Sequence, residues 1–243
     1  MKENLIRQAY EIAKERYAAI GVDVDKAMDT LQKISLSLHC WQADDVAGFE
    51  SNGSLSGGIQ ATGNYPGKAR NIDEVRQDVL KAASYLPGTH RLNLHEIYGD
   101  FQGKFVDRDQ VDVSYFESWI QWAAENKMKL DFNSTSFSHP KSGNLSLANP
   151  DKAIRDFWVE HTVRCRAIAE EMGKRQNDPC IMNIWVHDGS KDITVNRMLY
   201  RELLKDSLDR IFATEYKNMK DCIESKVLSS NKVKPLSFHK IIK

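Results

Sequence analysis

One pattern repeats five times along this chain and restricts its fold more than any other feature. A short apolar run ends in polar or aromatic residues, passes through a loop, and gives way to an amphipathic helix. Strands alternating with helical patterns predict βαβ units and a parallel sheet. A closed (β/α)8 TIM barrel needs eight such units, and its chemistry gathers where the strands exit. The expected fold is therefore α/β, an incomplete (β/α)8 TIM barrel of about five βα units preceded by N-terminal helices. The expected division is 1–33 for helices packing on the barrel, 34–227 for the first five strands, and 228–243 for a tail outside the pattern.

The strands are legible from their period of two. They are read at Ile34–Trp41, Arg91–Tyr98, Lys129–Asn133, Cys180–Val186 and Cys222–Val227. Between them lie helical patterns. Leu5, Ile6, Ala9, Ile12, Ala13 and Tyr17 share one face of the first, and Val75, Val79, Leu80, Ala83 and Leu86 mark another near 72–86. The most regular is Ile154, Phe157, Trp158, His161, Cys165, Ile168, Ala169 and Met172, with Asn149 and Pro150 read as its cap and first-turn proline. Ser114 and Glu117 have the spacing of a capping box. The last helical pattern carries Leu199, Leu203, Leu204, Leu208, Ile211 and Phe212. A glycine-rich loop from Asp44 to Arg70 is long enough to suggest a lid or a disordered segment.

Charge narrows the function classes. Lys+Arg and Asp+Glu both number 34, so the basic excess of a nucleic-acid binder is missing. A nuclease built on a metal-dependent barrel loses ground for the same reason. No apolar run approaches the ~20 residues a membrane span needs. The start, Met1 to Leu5, lacks the apolar core of a signal peptide, so a cytoplasmic enzyme is expected. Cys40, Cys165, Cys180 and Cys222 form no CxxC pair and read as buried, reduced thiols.

At the strand exits stand Trp41 and Asp44, His95 and Glu96, Asn133, Trp185 and Asp188, and Glu224 and Lys226. Aromatic walls suit the apolar faces of a sugar ring, and the acids, amines and imidazoles suit hydroxyls or a hard divalent ion. Each has a plainer alternative: His95 as a core histidine bonded to backbone, Trp185 as packing, Asp188 before Gly189 as a turn residue. Glu224 and Lys226, two apart on one strand, point to the same side. A glutamate inside an apolar strand needs a partner, which makes Glu224 the strongest candidate of the set.

Long runs resemble the L-rhamnose isomerase family. They are His39-Cys40-Trp41-Gln42; Gly57-Gly58-Ile59-Gln60-Ala61-Thr62-Gly63-Asn64-Tyr65-Pro66-Gly67-Lys68-Ala69-Arg70; Arg91-Leu92-Asn93-Leu94-His95; Leu130-Asp131-Phe132-Asn133; Phe137-Ser138-His139-Pro140; Met182-Asn183-Ile184-Trp185; and Glu224-Ser225-Lys226. The resemblance covers about residues 5–227. It implies aldose–ketose isomerisation of L-rhamnose to L-rhamnulose with Mn²⁺ or a related divalent cation, in a full-length homotetramer. By position, Glu224 resembles a metal ligand and Lys226 a lysine beside the reacting carbons. His95, Trp185 and Trp41 resemble pocket residues, and Tyr65 lies in what resembles a closing loop. The family's other metal ligands fall on strands after the fifth, so the cation is expected only in a completed barrel. A truncated product, inactive alone and poorly soluble through its open sheet edges, is the expectation. The alternative is a non-catalytic sugar-binding or interaction fragment that complements a separate second half.

Overall fold

The computed structural model describes residues 2–40, 48–50, 67–189 and 195–225. Among them are five strands and six α-helices. In chain order these are α1 (Glu3–Ala18), α2 (Val24–Leu31), β1 (Leu36–His39), α3 (Ile72–Ala83), β2 (His90–His95), α4 (Glu117–Glu125), β3 (Lys129–Asn133), α5 (Lys152–Gln176), β4 (Cys180–Val186), α6 (Arg197–Ile211) and β5 (Met219–Ser225). The strands form one sheet in the order β1-β2-β3-β4-β5, all parallel. Parallel neighbours that follow one another in sequence require right-handed crossovers, which place the connecting helices on one side. The expected α/β architecture is therefore observed, as five consecutive parallel βα strands consistent with part of a (β/α) barrel.

Alternation along the strands separates packing from chemistry. Leu92 and Leu94 of β2, Leu130 and Phe132 of β3, and Cys180, Met182 and Ile184 of β4 are all buried in the core. Phe132 meets Phe116 edge-on at 4.9 Å, and Asp221 of β5 receives Arg166 of α5 at 2.9 Å. The opposite side carries Ser37, His39, Arg91, Asn93, His95, Asp131, Asn133, Asn183, Trp185, Cys222 and Glu224, aligned by the strand register.

Helix α5 fits its sequence pattern: Phe157, Trp158, His161, Cys165, Ile168, Ala169 and Met172 are buried. Its start is later than expected. Asp151 caps it by accepting from the Ala153 N–H at 2.8 Å, while Asn149 Oδ1 accepts from the Asp151 N–H at 2.9 Å. Gly173 lies inside the helix, which ends at Asn177 in the left-handed conformation (φ 49°). The glycine is required by proximity: a Cβ there would lie 1.7 Å from the carbonyl oxygen of Asn218.

Four further expectations are corrected. Ser114 and Glu117 form no capping box; Asp112 instead caps a 3-10 turn over Val113–Phe116, and α4 grows out of that turn. Neither α1 nor α2 contributes a buried residue. Tyr10 and Lys14 of α1 both bind Asp25 of α2, so the two helices meet through polar groups, and Leu5, Ile6, Ile12 and Tyr17 remain more than half exposed. Cys222 is exposed, because β5 turns it toward the side without helices. In α6, Leu204, Leu208 and Ile211 are buried as expected, but Leu199 is exposed. No helix among the described residues is long and apolar enough to cross a membrane.

Candidate functional site

The site side of the sheet is a strip of polar groups at the strand exits. Asn133 donates to Asn93 Oδ1 at 2.6 Å across β2 and β3. Asn183 donates to Glu224 Oε2 at 2.7 Å across β4 and β5. Glu224 is exposed, yet it lies on the polar side of the sheet, opposite the helices, and its partner Asn183 is buried. His39 on β1 feels the carboxylates of Glu224 and Asp131, but burial outweighs them and holds its pKa below the usual value.

His95 ends β2 fully buried. Its backbone N–H donates to Cys40 Sγ at 3.3 Å, and its Nδ1 lies 3.3 Å from Thr135 Oγ1. Phe137 packs edge-on to both His95 (6.3 Å) and Trp185 (5.3 Å). So two expected pocket residues, His95 and Trp185, share one aromatic wall, with Phe137 as its middle. Burial, then the nearby His39 and Arg108, pushes the His95 pKa down to about 3, so the ring is neutral.

Beneath this wall lies a buried charge cluster. Arg108 is 1 % exposed. It donates to the carbonyls of Thr135 (2.7 Å) and Phe137 (2.6 Å), pairs with Glu50, and lies 3.6 Å from Glu96. Burial first, and then Glu50, holds the Glu96 carboxyl well above the usual range. Arg108 thus sits between two acidic side chains, and burial and Glu50 both oppose ionisation of Glu96. Residues 48–50 are fixed here as well. Phe49 N–H donates to Ile97 O at 2.6 Å, and Gly48 (φ 63°) comes so close to Ile97 that a Cβ would meet its carbonyl oxygen at 2.6 Å.

Asp188 is a structural anchor. Its carboxylate accepts from Ser146 N–H (2.6 Å), Ser146 Oγ (2.5 Å) and Ala148 N–H (2.5 Å), fixing the loop before α5. At the other end of the strands, Asp131 binds Ser37, Arg91 and the Ile181 N–H. Each carboxylate is already engaged by at least three donors.

Trp41, Tyr65, Lys226 and most of the glycine-rich loop lie outside the described residues. No site role was expected from sequence for Arg108, Thr135, His161 or Asn183. Asn183 had a signal, since it shares the strand period of Trp185. Arg108 sits in a polar loop with no periodicity to betray its burial.

A divalent cation needs several oxygen or nitrogen donors. Among the described residues no three His, Cys, Asp or Glu side chains converge as such a site requires. Glu224 offers one carboxylate, so the described residues do not complete a metal site.

Burial of two neutral histidines has a cost in acid. His161 is also fully buried, with its pKa pushed down to about 3 by burial and by Arg108. Between pH 6.5 and about 3 the unfolded chain binds protons that the folded one refuses. Stability present above pH 6.5 is therefore lost as pH falls, by about 1.4 kcal/mol per pH unit for each histidine. Urea midpoints measured from pH 7.5 to pH 4.5 should fall steadily, and His161→Gln should flatten the slope. A constant midpoint across that range contradicts the placement of both rings.

A family model described as L-rhamnose isomerase (RhaA) matches residues 4–232. A curated L-rhamnose isomerase from Bacteroides thetaiotaomicron is 78% identical over 227 residues, 93% of this chain and 54% of that protein. Another from Rhodopirellula baltica is 51% identical over 226 residues, covering 91% of this chain and 53% of the relative. A third, from Mannheimia succiniciproducens, is 49% identical over 225 residues, 91% of this chain and 54% of the relative. The chain thus spans about half the length of the curated relatives it matches.

Proposed function

This chain belongs to the L-rhamnose isomerase family, and on that premise we propose that it supplies the sugar-binding wall and one cation ligand of an aldose–ketose isomerase acting on L-rhamnose. One observation carries the reading: His95, Trp185 and Glu224 lie on the same polar side of a parallel sheet, at the strand exits. In this reading Phe137 and Trp185 cover the apolar face of the sugar, and His95 meets a hydroxyl. Glu224, steadied by Asn183, provides one carboxylate to a divalent cation, Mn²⁺ or a related ion, that draws its other donors from elsewhere. Lys226, Trp41 and Tyr65 are proposed substrate contacts by position alone. Cytoplasmic location and homotetrameric assembly belong to the same proposal.

The test separates binding from turnover. With Mn²⁺ present, this chain alone is expected to form no L-rhamnulose above the uncatalysed level, since one carboxylate cannot seat the ion. Co-expression with the remaining half of the Bacteroides thetaiotaomicron relative is expected to restore turnover, and Glu224→Gln in the co-expressed chain to abolish it. Normal turnover by the Glu224→Gln pair would overturn the role given to Glu224.

A second reading is favoured by the sheet itself. Within the described residues β1 and β5 each pair on one side only. Unpaired edges accept further strands, so this chain acts in the second reading as a non-catalytic fragment completing another polypeptide. Association without turnover in the co-expression experiment would select it.

A further inference from the structure

We infer that Thr135 is a positioning residue for His95: its hydroxyl donates to Nδ1, which places the ring proton on Nε2 and makes His95 a hydrogen-bond donor. The inference rests on the reading of His95 as a substrate-lining residue and assigns that residue its polarity.

Thr135 is held on all sides. It lies two residues beyond β3 and is fully buried. Its N–H donates to His161 Nε2 at 3.0 Å, and its carbonyl accepts from Arg108 Nη1 at 2.7 Å. His161 must be neutral to accept from an N–H. Its proton is then on Nδ1, which donates to the Arg108 carbonyl at 3.0 Å. Both ring nitrogens of His161 are thus spoken for, and the backbone of Thr135 cannot turn without breaking one of these bonds.

What remains of Thr135 is its hydroxyl, 3.3 Å from His95 Nδ1. Among the described residues this oxygen has no other partner. A neutral imidazole has one N–H and one lone pair. If Nδ1 carried the proton, the threonine would accept, and its own O–H would be buried with no acceptor among the described residues. Leaving a buried donor unsatisfied is costly. If the threonine donates, its O–H and the Nδ1 lone pair are both used. The second arrangement wins, and Nε2 takes the proton. Burial keeps His95 neutral, with its pKa about 3, so the tautomer is defined at neutral pH. A donor suits the oxygens of a polyol. It does not suit the removal of a proton from carbon, so this histidine binds and does not act as the base.

The tautomer can be read directly by long-range ¹⁵N–¹H correlation spectra of the full chain labelled with ¹⁵N-histidine. His95 is assigned by the signals lost in His95→Asn. In the sugar-free wild type, Nδ1 is expected to show the shift of a bare, pyridine-like nitrogen and Nε2 that of a protonated one. Thr135→Ser should keep that pattern. Thr135→Val, which retains the shape and removes the hydroxyl, should move Nδ1 toward the averaged shift of mixed tautomers. A protonated Nδ1 in the wild type overturns the inference even if the valine variant fails to fold, and so does a Thr135→Val spectrum unchanged at His95. All of this is read without sugar, so a failure of L-rhamnose binding would discredit the isomerase reading while leaving the tautomer result intact.

Discussion

Arg108→Met is expected to destabilise this protein by about 3–5 kcal/mol, the usual cost of breaking a buried ion pair from one side. Methionine fills much of the same volume, so the loss is electrostatic and not a cavity. Glu50 would keep its charge at a largely buried place without a counterion, and Glu96 would lose the cation that offsets its neighbour. The carbonyls of Thr135 and Phe137 would lose their donor in the same step. A paired substitution separates these losses. Arg108→Met with Glu50→Gln removes the stranded charge, and the double variant should be more stable than Arg108→Met alone by about 1–2 kcal/mol. Urea unfolding of the three proteins at pH 7 measures both quantities. If Arg108→Met alone costs less than about 1 kcal/mol, the cluster does not hold the strand exits.

Gly173→Ala should lower stability by about 3 kcal/mol or more, in the opposite direction to the usual effect of this change in a helix. Alanine in a helix interior is worth up to about 1 kcal/mol over glycine. Here that gain meets a collision. The added Cβ would lie 1.7 Å from Asn218 O, 2.8 Å from its carbonyl carbon and 2.9 Å from Cys180 N. Relief would require Asn218 to retreat, and it is held in three ways. Its N–H and side-chain amide both donate to Glu170 at 2.7 Å, and its carbonyl accepts from Cys180 N–H at 3.0 Å. Overpacking against fixed backbone costs about 1–3 kcal/mol and sometimes more, so the steric term exceeds the propensity term. A thermal midpoint equal to or above that of the wild type would show that α5 and the entry to β5 are not in contact there.

These two residues illustrate what a sequence reveals and what it conceals. The strands β3 and β4 were readable to the residue, because burial on the helix side imposes a period of two that few other structures share. The long face of α5 was readable for the same kind of reason. The role of Gly173 was not legible, because a lone glycine near the end of a helical pattern has the same local appearance whether it ends the helix or admits a neighbouring chain. The N-terminal helices kept their predicted apolar stripe but did not bury it, since the groups that join them, Tyr10, Lys14 and Asp25, are polar. The places of His95, Trp185 and Glu224 at strand exits were legible from the same period of two. Arg108 and His161 act across 53 residues of sequence through a single backbone carbonyl, and no local pattern records such a meeting.

Strict alternation between the two sides of the sheet has a consequence for how chains of this kind diverge. Deleting one codon within β3 would send Phe132 to the polar side and Asn133 to the helices, exchanging apolar for polar groups along the rest of the strand. Length variants are thereby confined to the connecting segments. A lineage can change the length of those segments freely, while every surviving strand keeps its residue count.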